Sequence, residues 1–237
     1  MAANEVAIVV GAGPGLGAAL CRRFVKAGML VAAATRDKER VSAVAKEAGA
    51  RGYGCDAGDE KSVLELFAAV KRDFGEPSVV VYNAGAYLPK TVIDTSAEEF
   101  ERCWRIGCFG GFLVGREAVR RMLPRGRGSV IFTGATASLR GKPGTTAFAA
   151  AKAGLRSLAQ SMARAYGPQG IHVAHVVVDG GIAGDKIIQG IPQFAEAMGE
   201  DGLISLDGLA DSYWFLYTQQ RAAWTHELDL RTFKESF

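Results

Sequence analysis

Six short β-rich runs recur along the chain: EVAIVVG, LVAAAT, RGYGCD, SVVVYNAG, SVIFTGA and IHVAHVVVDG. Helical stretches separate them, at about residues 15–21, 37–48, 59–74, 97–122 and 145–167. Several runs are apolar on both faces, so each such strand must be covered on two sides. That condition, with helices between successive strands, predicts an α/β fold: a mostly parallel sheet with helices on both faces. Right-handed crossovers make such a sheet doubly wound, with ligands at the carboxyl ends of its strands. Ser96-Ala97-Glu98-Glu99 reads as a capping box opening one helix. A last strand, HELDLR, follows a helix near residues 206–219. No linker or repeat divides the 237 residues, so 1–237 is read as one domain. At 49% hydrophobic and 22% charged, the chain is globular rather than disordered and can bury a sizeable core.

The strongest local signal is VVGAGPGLGAAL. Gly11, Gly15 and Gly17 follow the first strand and open the first helix, the context of a Rossmann dinucleotide site. Glycine lets the backbone turn tightly and approach a pyrophosphate, and the helix start offers free N–H groups to it. Gly13, Pro14 and Leu16 fill the same loop. The spacing is G-x-x-x-G-x-G rather than G-x-G-x-x-G. The alternative is a tight turn without a ligand, and the strand before and helix after favour the nucleotide.

Three further motifs follow: CDAGD, with Asp56 and Ala57; Asn83-Ala84-Gly85 after the fourth strand; and Lys152 four residues after Phe148. With the glycine loop they resemble the short-chain dehydrogenase/reductase family, from Val6 to about Gly181 and more loosely beyond. The resemblance implies a single-domain Rossmann fold and an NAD(P) cofactor. It implies that Asp56 and Ala57 meet the adenine, that Asn83, Ala84 and Gly85 line the cofactor, and that Lys152 holds the nicotinamide ribose. Gly180, in Asp179-Gly180, stands where the family has Pro-Gly.

The departures from that pattern fall on the chemistry. The family's Tyr is Phe148, its Ser thirteen residues earlier is Ala135, and its Asn aligns with Gly107; Val10 replaces a Thr before the glycine loop. Carbonyl reduction needs a hydride at carbon and a proton at oxygen, and Phe148 has no proton to give. Positioned acid catalysis contributes about 10²–10⁴-fold. The Lys152 ammonium can still place positive charge near a developing oxyanion. Tyr87, Thr136 and Ser138 are candidate stand-ins. The plainer alternatives are a pocket-wall aromatic for Tyr87 and loop hydrogen bonds for the two hydroxyls. His175 and Asp179, on or just beyond the sixth strand, are further candidates. His172 points to the opposite face from His175.

Two readings stand. One is an NADP(H)-dependent oxidoreductase with an atypical proton donor, acting on a small, hydrophobic carbonyl, enone or imine. The other is a catalytically silent NADP(H)-binding sensor or scaffold. NADP(H) is favoured over NAD(H) because Thr35 occupies the place of the carboxylate that would repel a 2′-phosphate, and Arg36 follows it. The alternative for Arg36 is a turn cap.

Composition narrows the partners to a small-molecule substrate. A net charge of +3 with no basic stripe gives no reason to expect nucleic acid, and Arg120, Arg121, Arg125 and Arg127 read as a solvated helix end. Cys21, Cys55, Cys103 and Cys108 lack metal-ligand spacing and read as reduced thiols, so no metal is expected. No apolar run reaches the ~18 residues of a membrane span, and MAANEVAIVV lacks leader features, so the expected location is cytoplasmic, away from membranes. Residues 183–202 read as a substrate lid, with Ile187, Ile188, Ile191, Phe194 and Met198 as a greasy face. Trp104, Phe109 and Phe148 are expected near the same cleft. A homodimer or homotetramer is expected through helices 97–122 and 145–167. The small residues Gly107, Gly110, Gly111, Gly115, Ala149, Ala150, Ala151 and Ala153 permit close packing there.

Overall fold

In the computed structural model, which describes residues 4–235, β1 (Val6–Val10), β2 (Leu30–Thr35) and β3 (Arg51–Gly54) alternate with α1 (Leu16–Lys26) and α2 (Lys38–Ala48). Met1–Ala3, Ser236 and Phe237, the ends of the expected 1–237 domain, lie outside the described residues. The chain continues through α3 (Glu60–Asp73), β4 (Val79–Tyr82), α4 (Ala97–Trp104), α5 (Gly110–Met122) and β5 (Gly128–Thr133). After α6 (Thr146–Tyr166) come β6 (Ile171–Asp179), two short helices α7 (Asp185–Ile188) and α8 (Pro192–Met198), α9 (Leu206–Thr218) and β7 (Glu227–Arg231).

The seven strands form one sheet in the order β3-β2-β1-β4-β5-β6-β7, and every neighbouring pair is parallel. The inner strands are buried on both faces because their residues alternate between two cores, while the edge strands β3 and β7 are only partly covered. Val6, Ile8 and Val10 face α3, α5 and α6, while Ala7 and Val9 face α1, α2 and α9. Strand order reverses between β1 and β4, and a cleft opens at the carboxyl ends there.

The stretch expected as one helix over 97–122 is three pieces. The predicted capping box is present: the Ser96 hydroxyl accepts from the Glu99 amide and the Glu99 carboxylate accepts from the Ser96 amide. Between α4 and α5, Arg105–Phe109 form a π-helical turn. The cause is long-range packing. A Cβ on Gly107 would meet the Ala151 Cβ at 2.7 Å, and one on Gly111 would meet the Leu155 side chain at 2.3 Å. The helix shifts to press its glycines onto α6, and the Tyr82 hydroxyl donates to the Ile106 carbonyl within the turn. The glycines read as an intermolecular face are therefore spent on contacts within the chain.

Candidate active site

The first half of the cleft is built from backbone. A Cβ on Gly11 would lie 2.5 Å from the Ala84 amide nitrogen, so only glycine lets β1 and β4 approach this closely. The Asn83 amide closes the same junction by donating to the Gly11 carbonyl at 2.9 Å. At Gly17 a Cβ would lie 2.6 Å from the Gly11 carbonyl oxygen, so the start of α1 packs directly on the end of β1. Gly15 precedes α1 without a side-chain cap, and Leu16 and Gly17 of its first turn line the cleft with Gly13 and Pro14. Uncapped N–H groups at a positive helix end suit a phosphate.

Beyond this loop, Thr35, Arg36 and Arg40 line the cleft at the end of β2, and Asp56 and Ala57 line it after β3. The Asp37 carboxylate caps α2, accepting from the Arg40 amide at 3.0 Å, whereas the Arg36 guanidinium has no partner among the described residues. The Asp56 carboxylate accepts from the Gly58 amide at 2.9 Å. A side-chain-free cradle, an uncapped helix start and an unengaged guanidinium fit a dinucleotide.

The second half lies over β4, β5 and β6. Asn83, Ala84, Gly85, Tyr87, Ala135, Thr136, Phe148, Lys152 and Gly180 all line this one cleft of about 880 Å³. Lys152 forms its floor. It is 4% exposed, and its ammonium donates to the Thr133 carbonyl at 2.7 Å. The same ammonium lies 5.8 Å from the centre of the Phe148 ring, and a Cβ on Gly85 would sit 3.5 Å from it. Burial pushes its pKa down to about 8, opposed weakly by the Cys103 thiol. Above it the Phe148 and Tyr87 rings meet edge to face, centroids 5.3 Å apart. Tyr87 is 66% exposed, so its phenol stands at the mouth.

Of the other candidates, Thr136 lines the cleft but its hydroxyl is engaged, while Ser138, His175 and Asp179 lie outside the lining. Ser138 is buried beneath the loop, where its hydroxyl accepts from the Ala135 amide at 3.1 Å. The Thr136 hydroxyl donates to the buried Asp179 carboxylate. His175 faces α6 from β6; its Nδ1 is 3.1 Å from Glu227, which also binds Arg156 through two bonds of 2.6 and 2.7 Å. His172, on the other face, stacks on Trp224. Trp104 and Phe109 do not reach the cleft; with Phe112 they stack along α4 and α5, and Trp104 and Phe112 are exposed. Sequence reasoning missed Arg40, Arg140 and Lys142 as lining residues. The positions of Arg140 and Lys142 in the loop after β5, and of Arg40 in the first turn of α2, were readable, but their orientation was not.

The 183–202 segment contributes Ile187, Ile191 and Phe194 to the cleft, while Ile188 and Met198 lie outside its lining. Its ends are pinned together: the Ala183 amide donates to the Ile204 carbonyl at 2.9 Å and the Ile204 amide to the Gly181 carbonyl at 2.7 Å. Among the described residues no cluster of His, Cys, Asp or Glu is placed to hold a metal, and no helix is long and apolar enough to cross a membrane.

A sequence profile described as short chain dehydrogenase matches residues 5–185. The chain is 32% identical over 205 residues to the sorbitol-6-phosphate 2-dehydrogenase of Escherichia coli (strain K12), covering 83% of this chain and 79% of that one. It is 36% identical over 166 residues to the inactive 2-(S)-hydroxypropyl-CoM dehydrogenase 2 of Xanthobacter autotrophicus, covering 69% of this chain and 72% of the relative. The crystal structure of a short-chain dehydrogenase from Rhodopseudomonas palustris is 35% identical and superposes with a TM-score of 0.82, over 97% of this chain and 99% of that one.

Proposed function

Because the chain belongs to the short-chain dehydrogenase family of NAD(P)-dependent oxidoreductases, we propose that it uses NADP(H) to reduce a small carbonyl, enone or imine, with Lys152 in place of the family's phenol. The observation that carries this reading is the buried Lys152 ammonium on the cleft floor. Bound NADPH supplies the hydride to the substrate carbon. Lys152 donates a proton to the substrate oxygen or nitrogen, and its positive charge holds the developing anion in a site with little water. Phe148 keeps the place of the absent Tyr closed to solvent, and Tyr87 walls the mouth. The unengaged Arg36, with no carboxylate at Thr35, supports preference for the 2′-phosphate. The segment 183–202 serves as the cover.

The test is NADPH oxidation against a panel of ketones, enones and imines. Lys152→Met should reduce turnover by about 10²–10⁴-fold, while Tyr87→Phe should leave it within about threefold. Reduction needs the ammonium, so its rate should fall as pH rises through about 8. Arg36→Ala should erase the preference for NADPH over NADH. A large loss in Tyr87→Phe with Lys152→Met intact would transfer the acid role to Tyr87.

A second reading has its own support. Gly107, Ala135 and Phe148 occupy the places of the family's catalytic Asn, Ser and Tyr, and one relative bears the word inactive in its name. A silent NADP(H)-binding sensor or scaffold would bind the cofactor and turn over nothing in the panel.

A further inference from the structure

On the reductase reading, the cleft over β1–β3 takes the adenosine half of the cofactor, and the substrate meets the nicotinamide over β4–β6. On the substrate side two cations project from the loop between β5 and α6, Arg140 and Lys142, and both line the cleft. The carboxylate nearest Arg140 is Asp179, at 3.7 Å, but Asp179 already accepts from Thr136 and lies 3.3 Å from Arg231. The Lys142 ammonium has no acidic partner among the described residues. Its backbone, by contrast, is fixed: the Thr145 hydroxyl accepts from the Lys142 amide at 3.2 Å and lies 2.9 Å from its carbonyl. Thr145 in turn bridges to Lys90.

Lys186 also lines the cleft, but a Cβ on the nearby Gly184 would lie 3.7 Å from the Gly15 Cα. Lys186 and its neighbour Asp185 therefore sit beside the phosphate loop and belong with the cofactor. Asp56, the other acid lining the cleft, lies past β3 on the cofactor side. Besides the buried Lys152 on its floor, the substrate side is left with Lys142, which lacks an acidic partner among the described residues, with Arg140, whose one ion-pair partner Asp179 is shared with Arg231 and Thr136, and with an apolar wall of Tyr87, Phe148 and Phe194.

We propose that the substrate carries a fixed anionic group, a carboxylate, sulfonate or phosphate, which docks on Arg140 and Lys142 while its apolar body lies against Tyr87 and Phe148. The proposal rests on the reductase reading for which half of the cleft takes substrate. Arg140 offers a planar fork that suits an oxyanion, and Lys142 adds a point charge on an anchored loop. Both are partly in water, so the attraction weakens with salt.

The test is a titration of the protein–NADPH complex with ketones that differ in one end group: carboxylate, sulfonate, phosphate, or the uncharged methyl ester. Nicotinamide fluorescence reports occupancy without turnover. The anions should bind at least about tenfold more tightly than the ester, with the ratio shrinking as salt rises. Ranking the three anions tells which oxyanion geometry fits. Arg140→Gln with Lys142→Gln should abolish the ratio without changing NADPH affinity, and Lys142→Glu should invert it. Equal binding of ester and anions, no binding of any anion, or parallel loss of NADPH affinity in the double variant overturns the proposal. Anion-selective binding without hydride transfer would leave the anion site standing and remove the reductase reading.

Discussion

At Gly107 the position that the family resemblance gives to a catalytic Asn has no room for a side chain. The Ala151 Cβ occupies the space at 2.7 Å from where a Cβ would be. Restoring the family residue should therefore fail by sterics before chemistry is reached. Gly107→Asn is expected to destabilise the protein by about 1–3 kcal/mol in urea titrations, and Ala151→Gly in the same chain should recover part of it. A neutral Gly107→Asn would show that α4–α6 packing is looser than the structure describes. Ala135 and Phe148 have no such block: both line the open cleft, so Ser and Tyr can be returned there. The family resemblance marks all three positions as departures. That only one of them is sterically closed was not readable in the sequence, because the closing residue lies on another helix.

The elements most legible in sequence were the strands, since burial on both faces writes a continuous apolar run such as AIVV or HVVV. The π-helical turn at Arg105–Phe109 left no comparable mark, because contacts with Tyr82, Ala151 and Leu155 from distant segments shape it. The join of β6, β7 and α6 was equally hidden. There Glu227 of β7 grips Arg156 of α6 and His175 of β6. Burial pushes His175 down to about 4, against the pull of Glu227. A histidine lowered from about 6.5 keeps the fold stable while neutral, so this contribution is complete above pH 6.5 and lost as pH falls towards 4. Urea unfolding should lose up to about 3 kcal/mol across that window from this group. His175→Leu, with Arg156 still neutralising Glu227, should flatten the slope between pH 6.5 and 5. An unchanged slope would place the acid sensitivity elsewhere.

On the scale of the whole molecule, alternation and handedness made a doubly wound sheet with ligands at its carboxyl edge readable in advance, while the order β3-β2-β1-β4-β5-β6-β7, which puts the switch point between β1 and β4, came from the structure. Which side chains turn into the cleft was not readable either, and Arg140 and Lys142 are the instance that matters. Family members are usually oligomeric, and the exposed Phe100, Trp104 and Phe112 on α4 and α5 are candidates for a face between copies. Light scattering at micromolar concentration should give a dimer or tetramer, and Trp104→Glu with Phe112→Glu should give monomers; a monomeric parent would remove the idea. The pinned ends of the segment 183–202, proposed above as a cover, leave it free to change length. The bonds between Gly181, Ala183 and Ile204 close the loop at its base, so what lies between them carries no duty to the sheet. Doubling such a loop adds only about 0.6 kcal/mol of closure entropy. A segment of different length between Ala183 and Ile204 is therefore expected to cost the fold little, beyond the bonds that Lys234 now donates to the Met198 and Glu200 carbonyls.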